Sequence, residues 1–144
     1  MAQDGHTEIR TADGRPPRVA IVDSNRSGAM VTTVLLEAFG CWPLPVATAE
    51  AGLALIRRDS LIDLAVVDLA LPDMDSIVVV QLIKALGRNL PVLGLAGKRS
   101  DLAATRNRVA GLNAILLKPY SPGEFYNAIV SALRKVGTAA MFRQ

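Results

Sequence analysis

Residues 64–76 read Leu-Ala-Val-Val-Asp-Leu-Ala-Leu-Pro-Asp-Met-Asp-Ser, and the fold turns on them. Leu64 to Val67 form an uninterrupted apolar run, the pattern of a strand buried on both faces. A carboxylate, Asp68, stands where that strand ends. Pro72 and its acidic neighbours then break the chain before a segment of helical length opens at Ser76. Buried strand, acidic end, loop and helix make one unit of a parallel α/β architecture.

The unit repeats along the chain. VAIV ending at Val22, PLPVA ending at Ala47, LAVV ending at Val67, PVLGLA ending at Ala96 and AILL ending at Leu117 alternate with segments of helical length. The first such segment, capped by Ser24 or Asn25, puts Met30, Val31, Val34, Leu35 and Ala38 on one face, and Gly40 ends it. The second starts at Thr48 and carries Leu55 and Ile56 inward. The third, Ser76 to Leu86, contains Ile77, Val78, Val79 and Val80, whose β-branching favours a strand locally. The spacing of Val79, Leu82, Ile83 and Leu86 decides for a helix, closed by Gly87. The fourth begins at Ser100 or Asp101 and is weakly apolar. The fifth opens with SPGE, a capping box of Ser121 and Glu124 with Pro122 at the first helical position. Phe125, Ile129, Ala132 and Leu133 then face the core.

Five strands each followed by a helix predict a doubly wound, five-stranded parallel sheet covered on both faces by five helices. Residues 18–137 form this domain. Residues 1–17, polar and rich in Gly and Pro, are expected to be a flexible N-terminal tail containing His6, and residues 138–144 a short C-terminal tail.

Composition narrows the function classes. At 144 residues, 51% hydrophobic and 20% charged, the chain suits one globular domain, with no second folded output domain expected. Cys41 is the only cysteine, which excludes an intramolecular disulfide and a zinc cluster and fits a reducing compartment. No apolar run is long enough to cross a membrane and the N-terminus lacks a secretory apolar region, so the expectation is a cytoplasmic protein with no membrane contact. The net charge of +3 comes from sixteen cations interspersed with thirteen acids, which disfavours nucleic acid as a partner.

In a doubly wound fold the chemistry lies beyond the carboxyl ends of the strands. Asp23 and Ser24 follow the first strand, Asp68 the third, Ala96 and Gly97 end the fourth, and Lys118-Pro119 follows the fifth. Two carboxylates and an amine therefore converge. Such a carboxylate can hold a metal, attack an electrophilic phosphorus or pair structurally with the lysine.

With VAIVDSN at the first strand, VVDLALPDMDS at the third and GLNAILLKPYSPGEF at the fifth, the chain from Arg18 to about Val136 resembles a response-regulator receiver domain of two-component signalling. The resemblance implies the flavodoxin-like strand order 2-1-3-4-5 and that Asp68 is the phosphoacceptor. It also implies that Asp23, Asp68 and the backbone carbonyl of Ala70 hold Mg²⁺, that Lys118 pairs with the phosphoryl group, and that the Lys118-Pro119 bond is cis. It implies a histidine kinase or phosphotransferase protein as donor and a downstream protein target, with the fourth and fifth helices as the face through which the family often forms homodimers or meets targets.

Three positions depart from the family pattern. Ser24 replaces a second acid, leaving Asp23, Asp68 and Lys118 with a formal sum of minus one instead of minus two, so Mg²⁺ binding weakens. Ala96 stands where the family has a Thr or Ser that bonds the phosphoryl oxygen. Ile115 stands where a Tyr or Phe usually rotates inward. These changes keep a second reading open: a phosphorylation-independent pseudo-receiver acting as a binding or dimerisation module. Lys98 and Arg99 read as solvated loop cations, with charge compensation at the site as the sharper alternative. A flavin or nucleotide binder on the same fold is disfavoured, because no glycine-rich phosphate loop follows the first strand.

Overall fold

The computed structural model describes residues 7–97, 111–135 and 139–142. Five parallel strands, β2 (Arg18–Val22), β3 (Trp42–Val46), β4 (Ile62–Asp68), β5 (Val92–Ala96) and β6 (Ala114–Leu117), form one sheet in the order β3-β2-β4-β5-β6. Counted from Arg18, that is the expected 2-1-3-4-5. Helices α1 (Arg26–Ala38), α2 (Ala49–Arg58), α3 (Ser76–Lys84) and α4 (Pro122–Lys135) connect or follow them. The helical segment expected from Ser100 lies outside the described residues, so four of the five expected helices are described.

Alternation along each strand divides the core in two. Val19, Ile21, Leu64, Val66, Leu93 and Leu95 point to one face and pack against Leu36, Phe39, Phe125, Ile129 and Leu133 of the α1 and α4 side. Ala20, Val22, Ala65, Val67 and Val92 point to the other and meet Leu53, Ile56, Val79, Val80 and Ile83 from α2 and α3. At Gly52 the helix lies so close to the sheet that a Cβ would sit 2.6 Å from Val22 Cγ2. The edge strand β3 is guarded by its own sequence. Trp42 N–H bonds the Pro17 carbonyl on the β2 side at 2.7 Å, so Pro43 and Pro45 fall at the alternate, outward positions and offer no donors to another chain.

Caps follow the sequence closely. Asn25 accepts from Gly28 N–H, Thr48 from Ala51 N–H, and Ser121 and Glu124 bond each other's backbone N–H groups as a capping box. Gly40 and Gly87 adopt φ of +87° and +74° where their helices end.

Two expectations are corrected. The inward face of α1 is Thr32 and Leu36, continued by Phe39, and not the expected apolar set: Met30, Val31 and Val34 are 63%, 53% and 57% exposed, Ala38 is exposed, and of that set Leu35 alone packs against the core. A polar Thr occupies a core position because its hydroxyl finds partners there. The apolar count pointed to the opposite side.

The second correction concerns the termini. Within the stretch read as a tail, β1 (Glu8–Thr11) pairs antiparallel with β7 (Ala139–Phe142) in a separate two-stranded sheet. Ile9 is fully buried, its N–H bonds the Phe39 carbonyl at 2.9 Å, and Tyr126 Oη donates to the Thr7 carbonyl at 2.6 Å. Only Ile9 and Thr11 of this strand point inward, and its partner lies at the far end of the chain, so no local periodicity announces it.

Candidate functional site

Asp23 follows β2 and Asp68 ends β4, neighbouring strands whose carboxyl ends open side by side. Both acids are buried, at 3% and 6% exposure. Asp23 Oδ1 accepts from Asn25 N–H at 2.9 Å, and Asp68 Oδ1 from Ala70 N–H at 3.1 Å, each a two-residue turn that aims the carboxylate upward. Lys118 arrives from the end of β6, its N–H bonded to the Ala96 carbonyl at 2.8 Å, and the Lys118-Pro119 peptide is cis. Its Nζ stands 3.7 Å from Asp23 Oδ2 and 3.8 Å from Asp68 Oδ1, between the acids and beyond direct hydrogen-bond reach of both.

The charge balance is incomplete. Two acids face one ammonium, and Asp23 Oδ2 is buried with no hydrogen-bond partner. Burial pushes the Asp23 carboxyl above its ordinary range and the Asp68 charge adds to this, while Asn25 N–H and Lys118 oppose it. Because the folded state then holds the proton more tightly than the unfolded chain, stability falls as pH rises from the ordinary carboxylate range through the raised value. Asp23→Asn should therefore stabilise the metal-free protein at neutral pH, by on the order of 1 kcal/mol. Thermal unfolding of the two chains in a chelator checks this.

Ser24 is exposed beside Asp23, and no cluster of three or more His, Cys, Asp or Glu occurs among the described residues. An open cleft between α1 and the end of β3, lined by Ser24, Arg26, Met30 and Thr33, leads to Asp23. Ala96 is buried at the end of β5. Ile115 is half-buried in β6, opposite Gly94. Neither carries a hydroxyl or an aromatic ring. Lys98 and Arg99 lie outside the described residues.

Asp73 and Asp75, in the loop after Asp68, both cap helices. Asp75 accepts from Ile77 N–H at the start of α3. Asp73 reaches across to α2, accepting from Ala49 N–H at 3.1 Å and Glu50 N–H at 3.2 Å, and these bonds hold its carboxyl below the usual range. The loop that follows Asp68 is thereby tied to the neighbouring helix. An acid next to Pro was the only local signal.

An α/β domain with two acids and a lysine at the carboxyl ends of a doubly wound sheet belongs to a recognisable class of site. The model of the response regulator receiver domain matches residues 19–130. The chain belongs to this family, the receiver domains of two-component response regulators. It is 30% identical over 137 residues to the protein named Probable transcriptional regulatory protein TcrX of Mycobacterium tuberculosis, covering 92% of this chain and 56% of that one. It is 30% identical to Regulatory protein VanRc of Enterococcus gallinarum over 82% of this chain and 50% of that one. The chain thus spans about half the length of these relatives. Among solved structures, a CheY-like receiver domain protein from Methanospirillum hungatei superposes with a TM-score of 0.73 at 26% identity, covering 83% of this chain and 95% of the other. No helix among the described residues is long and apolar enough to cross a membrane.

Proposed function

We propose that the chain accepts a phosphoryl group on Asp68 from a histidine kinase or phosphotransferase protein and signals by protein contact. The observation that carries this reading is the Lys118 ammonium held 3.7 and 3.8 Å from two buried carboxylates at the open end of the sheet. A carboxylate oxygen of Asp68 forms a bond to phosphorus while the bond from phosphorus to the donor imidazole nitrogen breaks, and the imidazole leaves with the electron pair. Little covalent work falls to the protein. Its task is to position Asp68 and to neutralise charge gathering on the phosphoryl oxygens, which Lys118 is placed to do.

Asp23 Oδ2, buried without a hydrogen-bond partner, and the Asp68 carboxylate are hard oxygen donors that suit Mg²⁺, an ion that binds through one or two carboxylates and keeps several waters, and the family resemblance adds the Ala70 carbonyl as a further ligand. When bound, it supplies the positive charge that the single lysine leaves lacking. Ser24 withholds one anionic ligand. Ser24→Asp should accordingly tighten Mg²⁺ binding by roughly tenfold, for a gain of on the order of 1.4 kcal/mol. A Mg²⁺ titration of the rate of labelling by a small phosphodonor reads the shift.

Ala96 and Ile115 favour a second reading, in which the domain binds its partner or dimerises without phosphorylation. Without a hydroxyl at 96 and a ring at 115, a phosphoryl group lacks the family's differential contact with the far face. Partner capture by Asp68→Asn separates the two: undiminished binding supports the phosphorylation-independent module, and lost binding in a folded variant supports phosphorylation as the signal.

A further inference from the structure

Beyond the acids and the lysine, one buried polar contact joins the two arms of the site. Thr32, fully buried on the sheet-facing side of α1, lies with its Oγ1 3.0 Å from Tyr120 Oη, and Tyr120 is two residues past Lys118. The same Thr32 Oγ1 donates to the Gly28 carbonyl at 3.0 Å. A hydroxyl has one proton, so Tyr120 must be the donor in the pair and Thr32 the acceptor. The Tyr120 ring is held from its other side by Phe125 of α4, centroids 5.1 Å apart.

From Thr32 the bonds continue to the acidic arm. Gly28 N–H donates to Asn25 Oδ1, and Asn25 N–H donates to Asp23 Oδ1, each at 2.9 Å. A series of hydrogen bonds thus runs from Asp23 through the first turns of α1 to Tyr120. It matters because the Lys118 ammonium makes no direct hydrogen bond to either acid, so its place depends on the backbone that carries it. At position 32 a valine would fill the same volume. At 120 a phenylalanine would keep the ring contact. The Tyr120 hydroxyl adds the link, and the Thr32 hydroxyl adds the link and its bond to the Gly28 carbonyl.

We propose that Thr32 and Tyr120 form a positioning pair that fixes the Lys118 ammonium between Asp23 and Asp68, binding α1 and the lysine arm into one unit. This rests on Asp68 being the phosphoacceptor.

The test follows adduct formation from acetyl phosphate at saturating Mg²⁺ by intact mass in the full chain, for wild type, Tyr120→Phe, Lys118→Ala and the double variant. Tyr120→Phe should slow labelling roughly tenfold or more. In the Lys118→Ala background the same substitution should change the rate by less than about twofold, since its effect acts through the lysine. Thr32→Val should reproduce the loss and Thr32→Ser restore the rate. Equal slowing in both lysine backgrounds, or a wild-type rate in Thr32→Val, overturns the pair while leaving the Asp68 reading intact. No adduct on wild type overturns the Asp68 reading, and the pair with it.

Discussion

Asp68→Asn should take up no phosphoryl group under conditions in which the wild-type chain is labelled, with its fold unchanged. The amide is nearly the shape of the acid, and its oxygen can still accept from Ala70 N–H, the bond that now aims the side chain at 3.1 Å. What it lacks is an anionic oxygen able to attack phosphorus. Replacing one of two buried like charges that share a single ammonium also relieves repulsion, so the variant should unfold no earlier than wild type. Intact mass and thermal unfolding read the two halves of the expectation. A labelled Asn variant would place the acceptor at another residue.

Ile9→Ala should destabilise the protein by roughly 2 to 5 kcal/mol, the range for truncating a fully buried aliphatic side chain. Ile9 belongs to the same core cluster as Phe39, Cys41 and Tyr126, and its N–H closes on the Phe39 carbonyl. The rings of Phe39 and Tyr126 meet edge to face at 5.1 Å in that cluster. Truncation opens a cavity that this rigid aromatic wall fills poorly. Urea unfolding of the two chains measures the difference. A loss below about 0.5 kcal/mol, typical of surface positions, would show that β1 contributes no core.

The contrast between these residues explains what the sequence made readable. Val19 to Val22, Leu64 to Val67 and Val92 to Ala96 are runs buried on both faces, where every residue reports the same environment, and their strands appear where expected. Asp23, Asp68 and Lys118 were legible because a strand end is a defined place in this fold, so a charged residue there is placed by counting. Helix α1 was harder. Its exposed side is the more apolar one, and its core position is a threonine whose reason for burial, Tyr120, lies 88 residues away. Asp73 is the same case, a cap acting on a helix 23 and 24 residues earlier. Glu8–Thr11 is the extreme, a four-residue strand whose partner closes the chain. Periodicity reports local burial; it carries nothing about a polar pair or a strand pair made across the fold.

The most direct measurement is the intact mass of the wild-type protein after incubation with acetyl phosphate, in Mg²⁺ and in a chelator. Phosphoryl acceptance at this site predicts a single phosphoryl adduct that forms in Mg²⁺, forms far more slowly without it, and requires more Mg²⁺ than Ser24→Asp. A folded chain that gains no adduct at any Mg²⁺ concentration would contradict it.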